Sequence, residues 1–335
     1  MDITTDRTPA DNKRYKTLGF SRLCKLSVPH QVRCNLTGKS PAIPNDFIPP
    51  SVSGNFKDKM RTLILTILLM MTASEESFSQ QVVFRQPSSY VLGFIGNDSI
   101  SLSSINYKSF RIYFKDSSYT SNHIIEIEQE LDIAYSKILS VLNISSYDNG
   151  IYLLAVDSKE EMQNVMGYKI KGGAAKGHDL VFFVYNQNIR PQFKHEIFHL
   201  ISYETWGLTN YRLLDEGGAT YTDNYCFYDN PMYTINAYYL QQKKLLPLDS
   251  LVNNFDNQAK KSDVIAYIQS AGIFKYLYEK YGVEKMKLLW VGGFENFKSI
   301  YGFSITQLET DWLNFIKTVP IPKNFDINKL KEGCG

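Results

Sequence analysis

Pro191-Gln192-Phe193-Lys194-His195-Glu196-Ile197-Phe198-His199-Leu200-Ile201-Ser202-Tyr203-Glu204-Thr205-Trp206 is the stretch from which the rest of this sequence is read. Pro191 suits the first position of a helix, where its missing N–H costs nothing, and Gly207 suits the position just past the last turn. Between them the spacing predicts one helix. His195 and His199 are four apart, so they share a face, one turn above the other. Two imidazoles so placed can both reach one cation at about 2.0–2.1 Å. Glu196 follows the first histidine directly. Its carboxylate stands beside such a metal without having to ligate it, where it can take a proton from an activated water. Ile197, Phe198, Leu200 and Ile201 are predicted to bury the remaining faces and keep the surroundings dry. Three of the five histidines lie elsewhere, so the pair does not follow from a histidine-rich composition.

A catalytic zinc takes three protein ligands and keeps a fourth position open. Leu213-Leu214-Asp215-Glu216-Gly217-Gly218-Ala219-Thr220-Tyr221 opens a second helical stretch, with Glu216 17 positions beyond His199. Glu216, near a helix start, can project toward the first helix, and Gly217, Gly218 and Ala219 let two helices approach closely. Glu204 and Asp215 are rival third ligands. Glu204 sits five beyond His199, off its face, and Asp215 is expected to point away if Glu216 points in. Asp223 lies two turns beyond Glu216 on the same face. It is placed to accept a hydrogen bond from a ligand histidine and fix its tautomer; the plainer reading is a surface carboxylate.

Working outward, Phe110-Arg111-Ile112-Tyr113-Phe114 alternates as a half-buried strand does. Residues 122–142 read as an amphipathic helix, with Ile124, Ile127, Leu131, Ala134 and Ile138 at helical spacing. Ile151 to Val156 is a second strand and 158–166 a short helix. Lys171-Gly172-Gly173-Ala174-Ala175-Lys176-Gly177 reads as a glycine-bearing loop. It precedes a β-run, Leu180 to Tyr185, whereas a phosphate cradle follows one, so that use of the glycines is set aside. From Pro191 onward helices dominate. The expected class is α+β: a small twisted mixed sheet, then a mostly helical half carrying the two metal-binding helices.

The 335 residues are 44% hydrophobic, 21% charged and 14% aromatic, which describes a folded protein with a substantial core. A formal net charge of +2 supplies no global field toward nucleic acid, and no basic stripe interleaved with aromatics is found. No nucleic-acid partner is expected. Cys24, Cys34, Cys226 and Cys334 form no CxxC pair, which argues against a cysteine zinc site or a disulfide scaffold. Cys226 and Cys334 could pair in an oxidising compartment; a buried thiol and a tail thiol is the plainer account.

Lys57, Lys59 and Arg61 precede the apolar run Leu63 to Met71, and Ser77-Phe78-Ser79 follows it. This is the order of a secretory signal, assigned to residues 60–79. The run is shorter than the roughly twenty apolar residues a membrane span needs, so no stable membrane insertion is expected after its removal. A buried core helix is the competing account. Export to a periplasm or to the outside follows from the signal. Residues 1–59 show no sustained period and read as unstructured, either upstream of a true start at Met60 or as a disordered extension. Residues 80–106 then form a lead-in, 107–318 the main domain and 319–335 a tail. No pattern speaks to oligomeric state.

His195-Glu196-x-x-His199 followed by Glu216-Gly217-x-Ala219-x-Tyr221 resembles the gluzincin metallopeptidases, which share the thermolysin-like and aminopeptidase-like catalytic domain, and most of all the bacterial peptidase MA-like domains. Ala266 to Leu277 with Lys280-Tyr281-Gly282 is similar to the downstream helix and turn of that family, and Leu308-Glu309-x-Asp311-Trp312 to its closing helix. The resemblance implies a zinc peptidase with one zinc per chain, held by His195, His199 and Glu216, with Glu196 as general base and a peptide or protein as substrate. It implies that the sheet's edge strand lies within Gly177 to Tyr185 and that substrate pairs along Leu180 to Tyr185 by strand addition, with Leu180, Val181, Phe182 and Phe183 as substrate-binding residues. It also implies an extra donor to the oxyanion. No histidine follows His199, so a tyrosine is expected there: Tyr267 first, then Tyr276 and Tyr281. The interval from His199 to Glu216 is shorter than in the aminopeptidase branch, and no GxMEN-like motif precedes the first helix, so the resemblance does not extend to aminopeptidase specificity. The alternative is a binding or structural module that keeps the zinc fold without turnover.

Overall fold

The computed structural model describes residues 84–96, 101–224 and 232–328. The chain divides into Met1–Glu76 and Ser77–Gly335, and every described residue belongs to the second unit. The segment assigned to a signal, the residues before it and all four cysteines lie outside the described residues.

The fold is α+β. Five strands, β1 (Ser103–Tyr107), β2 (Phe110–Phe114), β3 (Ile151–Val156), β4 (Gly172–Ala175) and β5 (Leu180–Val184), form one mixed sheet in the order β1-β2-β3-β5-β4. β1 and β2 make an antiparallel hairpin, β2, β3 and β5 run parallel, and β4 returns antiparallel on β5. The helices of the first half are α1 (Ser89–Ile95), α2 (Tyr119–Asn122), α3 (Ile124–Leu142) and α4 (Lys159–Met166). The second half is helical: α5 (Phe193–Trp206), α6 (Arg212–Asp223), α7 (Met232–Gln241), α8 (Leu248–Lys261), α9 (Asp263–Tyr281), α10 (Val283–Gly292), α11 (Phe297–Tyr301) and α12 (Ile305–Lys317). No helix among the described residues is long and apolar enough to cross a membrane.

The two faces of the sheet are covered differently. On one face Ile112, Leu153, Val181 and Phe183 pack with Ile127, Leu131, Ala134 and Ile138 of α3 and with Ile197 and Ile201 of α5. On the other, Tyr152, Leu154, Val156, Leu180, Phe182 and Val184 pack with Val91 of α1 and Met162 of α4. β3 and β5 are therefore buried on both sides, which is why their sequences run apolar without alternation. The lead-in contributes α1 and most of β1, so the folded body begins upstream of residue 107. At the other end Phe325 and Ile327 pack against the Met232–Tyr239 cluster, so the first part of the tail belongs to the body too.

Two expectations are corrected here. Gly172 to Ala175 is a strand and not a loop. With no side chain larger than a methyl, this stretch carries none of the apolar alternation by which a strand is recognised. Pairing with β5 and the tight turn after it, where Gly177 has φ +76° and Asp179 φ +53°, make it one. In consequence Leu180, Val181, Phe182 and Phe183 do not form an edge. β5 has β3 on one side and β4 on the other, and the sheet's outer edge there is β4.

Candidate metal centre

α5 carries the first two candidate ligands and is fixed from three directions. Ile197, Phe198, Leu200 and Ile201 are buried as expected. Gly207 ends the helix at φ +90°, and its carbonyl accepts a hydrogen bond from Trp290 Nε1 at 2.8 Å. The helix begins at Phe193, two residues after Pro191. α6 packs against both α5 and α9, and at its two glycines it comes close to each. A Cβ on Gly217 would fall 2.8 Å from the Ser270 carbonyl oxygen, and one on Gly218 2.8 Å from the Phe198 ring. Gly217 thus lets α6 lie close to α9, and Gly218 lets it lie close to α5, where a larger residue would push Glu216 away from the two histidines.

His195, His199 and Glu216 come together. His195 Nε2 lies 3.2 Å from His199 Nε2 and 3.2 Å from Glu216 Oε2, and His199 Nε2 lies 3.6 Å from the same oxygen. Ligands of a tetrahedral zinc at about 2.0–2.1 Å stand about 3.3 Å from one another. The triangle therefore fits such an ion with one vertex open, and two imidazoles with a carboxylate are a zinc donor set. Glu204 takes no part; it pairs with Arg85 at 3.3 Å.

Asp215 points inward together with Glu216, contrary to the expectation from sequence. Consecutive helical residues diverge by about 100°, but the two carboxylates approach different nitrogens of one ring. His199 Nδ1–H donates to Asp215 Oδ1 at 2.8 Å, while Nε2 faces Glu216. Asp215 thus does what was sought from Asp223, which lies at the far end of α6 in a cleft of about 210 Å³ with Glu130, Pro191, Phe193 and Lys194. Two cations brace the carboxylates. Lys176, at the end of β4, donates to Asp215 Oδ2 at 2.5 Å. Arg212 reaches Glu216 Oε1 at 2.7 Å and Asp215 Oδ2 at 3.6 Å. Neither cation was singled out from sequence. Arg212 was legible in principle, because it precedes both carboxylates by three and four positions on one helix; Lys176 was not, since it meets Asp215 only through the tertiary fold.

The charges follow from this packing. Burial opposes a charge on His199, but Asp215 and Glu216 outweigh it and push its pKa up to about 10. Burial also works against His195, whose pKa is raised by the bond to Glu216 and the charge of Glu196. Glu216 sits well below the ordinary carboxylate range despite its burial, because both histidines favour its charged form. The pocket attracts positive charge, whether a proton on the rings or a divalent ion between them. Glu196 behaves oppositely. Burial holds its pKa above the usual carboxylate value, which strengthens it as a proton acceptor.

Of the three tyrosines expected as oxyanion donors, the structure keeps only Tyr267 near the centre. Burial is the first cause of its raised pKa, followed by the charge of Glu216, with Arg212 and Glu196 also acting on it. Tyr276 hydrogen-bonds Lys280 at 2.7 Å and Tyr281 packs on Tyr301 and Phe303; neither joins the triangle.

A paired-histidine helix, a carboxylate ligand from the next helix and a mixed sheet beside them define the zincin-like class of metallopeptidase folds. Residues 152–318, from β3 to the end of α12, match the Peptidase MA superfamily, and this part of the chain is a gluzincin-like member of it. No curated protein matches the sequence.

Proposed function

We propose that this protein is a zinc-dependent peptidase that uses Glu196 as its general base. The triangle of His195, His199 and Glu216 supports this reading most directly, with the buried carboxylate of Glu196 close enough to feel the charges of all three. A zinc ion held there supplies a Lewis acid that acidifies water and polarises a carbonyl. The rest is work for the chain's own residues. Glu196 takes a proton from the attacking water and returns it to the leaving amine. Tyr267 donates a hydrogen bond to the oxygen on which negative charge develops.

The substrate strand is assigned to the outer edge of β4. Val184 N–H donates to the Lys171 carbonyl at 2.7 Å, and Gly172 lies opposite Phe183. In an antiparallel ladder alternate residues bond inward, so Lys171, Gly173 and Ala175 face β5. Gly172 and Ala174 turn their N–H and C=O groups to an edge that no strand among the described residues occupies. Gly172 also stands next to the base, since a Cβ there would lie 3.7 Å from Glu196 Oε1. A peptide added to this edge by main-chain hydrogen bonds brings a scissile carbonyl past Glu196.

Metal analysis and cleavage of a mixed peptide library, wild type beside Glu196→Gln, test the proposal. The variant is expected to hold one zinc and to lose hydrolysis. Full turnover by the variant removes the mechanism. Stoichiometric zinc with no cleavage by wild type leaves a non-catalytic module. We extend the reading to an exported enzyme, on the strength of residues 57–79; sequencing the N-terminus of the natural product tests that part, and a mature start near Met1 removes it.

A further inference from the structure

We propose that Arg212 is a positioning residue: it holds Glu216 Oε1 away from the two histidines, so that Glu216 offers a metal one oxygen and leaves a coordination position open. The proposal rests on the metal reading of the triangle and not on turnover.

A carboxylate can ligate through one oxygen or through both. Three single donors around a small ion leave the fourth vertex that a catalytic site needs, and a second oxygen from Glu216 would compete for it. The glutamate's own rotamer does not choose between the two modes, because its last torsion is broad and roughly two-fold. Gly217 and Gly218 do not choose either. They set how closely α6 approaches its neighbours, which places the backbone of Glu216 but not the turn of its carboxylate.

The partners of the two oxygens make the choice. Oε2 lies 3.2 Å from His195 Nε2 and 3.6 Å from His199 Nε2. Oε1 accepts a charge-assisted bond from Arg212 Nη2 at 2.7 Å, across one turn of α6. Glu216 is 4% exposed, so the arginine and not solvent supplies the partner of Oε1. The guanidinium is itself held on its other sides. Nη1 lies 3.6 Å from Asp215 Oδ2, and Nε lies 3.4 Å from Asp256 Oδ1 on α8. Carboxylates of two helices therefore keep it outside the triangle, and it cannot follow Oε1 inward without giving up its contact with Asp256. An ion pair one turn apart on a helix is ordinarily a surface bridge that contributes little. This one differs because the acceptor is buried and its second oxygen faces two imidazoles.

Cobalt(II) in place of zinc tests this, since its visible absorption is intense with four ligands around it and weakens when a fifth is added. Wild type should bind stoichiometric cobalt and absorb strongly. Arg212→Met keeps an apolar stem and removes the donor to Oε1; it should still bind cobalt and lose much of that intensity. Arg212→Lys keeps the charge without the planar fork and should fall between the two. It decides the matter if a thermal melt shows that Arg212→Met does not fold. An arginine that served stability alone would lower the melting temperature when replaced and leave the spectrum of the bound metal where it was. Absorption as strong as wild type in the folded variants therefore overturns the assignment. Weak absorption already in wild type overturns it too, because both oxygens of Glu216 would then ligate despite the arginine. Either result leaves the peptidase reading standing. Wild type that binds neither cobalt nor zinc overturns both.

Discussion

Asp215 Oδ1 lies 2.8 Å from Nδ1 of His199, while the next residue, Glu216, reaches Nε2 of the same ring at 3.6 Å. Two consecutive carboxylates thus approach the two nitrogens of one imidazole, one as its anchor and one as its neighbour in the candidate metal triangle. The anchor fixes the tautomer that leaves a lone pair on Nε2. Asp215→Ala is expected to weaken zinc binding by about 10- to 100-fold, read by competition against a chelator of known affinity. It also leaves Lys176 without a counter-charge it now holds at 2.5 Å, so a lowered melting temperature should accompany the loss. Unchanged zinc affinity in a folded Asp215→Ala protein would show that His199 is oriented by packing alone.

The metal-free protein should lose stability as the solution turns alkaline. His199 has its pKa raised from 6.5 to about 10 in the fold. A group that holds its proton more tightly when folded stabilises the fold fully below its unfolded pKa, and that contribution disappears as pH rises through the folded value. The window is therefore pH 6.5 to about 10. Asp215 and Glu216, both shifted down, act in the other direction and cost stability only in acid, as pH falls below their ordinary range. Thermal melts in chelator should fall between pH 7 and 9.5, whereas melts with zinc present should fall less, because the metal takes the place of the proton. Zinc affinity should rise over the same interval as the competing proton leaves. Parallel melting curves with and without metal would contradict this account.

The parts of this site that were legible in the sequence obey local rules. His195 and His199 share a face because any helix places residues four apart together, and Glu216 with Gly217 and Gly218 announced a close helix crossing. What escaped depended on tertiary pairing. Gly172 to Ala175 has no side chains to show a period, and only β5 beside it makes it a strand. The edge was placed at Leu180 to Phe183 on the family resemblance and not on the run's own pattern. A run apolar on both faces instead marks an interior strand, and so the signal was present but pointed the other way. Asp215 was turned outward by counting helical angle from Glu216, which neglects that an imidazole offers a second nitrogen on its far side.

Tyr267 tests whether the centre has a second electrophile. It lies close enough to Glu216, Glu196 and Arg212 to feel their charges, and its raised pKa keeps it a hydrogen-bond donor at any working pH. Tyr267→Phe keeps the ring that packs on Phe255 at 5.3 Å and removes only the hydroxyl. If the phenol meets the developing oxyanion, kcat should fall by about 10²-fold with KM and zinc content little changed. An equal rise in KM with kcat intact would place Tyr267 in ground-state binding instead.

Proline at Ala174 separates the two edges of β4. Ala174 turns its N–H outward, away from β5, by the same alternation that turns Ala175 inward toward Leu180. Ala174→Pro therefore deletes a donor from the open edge and spares the ladder, a position where proline is tolerated. One main-chain hydrogen bond contributes about 0.5–1.5 kcal/mol, so peptide affinity for the Glu196→Gln protein should drop by roughly two- to tenfold, with zinc content and melting temperature held. Ala175→Pro removes a bond within the sheet and should lower the melting temperature. If substrate instead approached along β5, both prolines would act only through stability, and Ala174→Pro would bind peptide as wild type does. Loss of peptide binding in Ala174→Pro without loss of stability thus requires the edge beside Glu196 to be where the substrate strand lies.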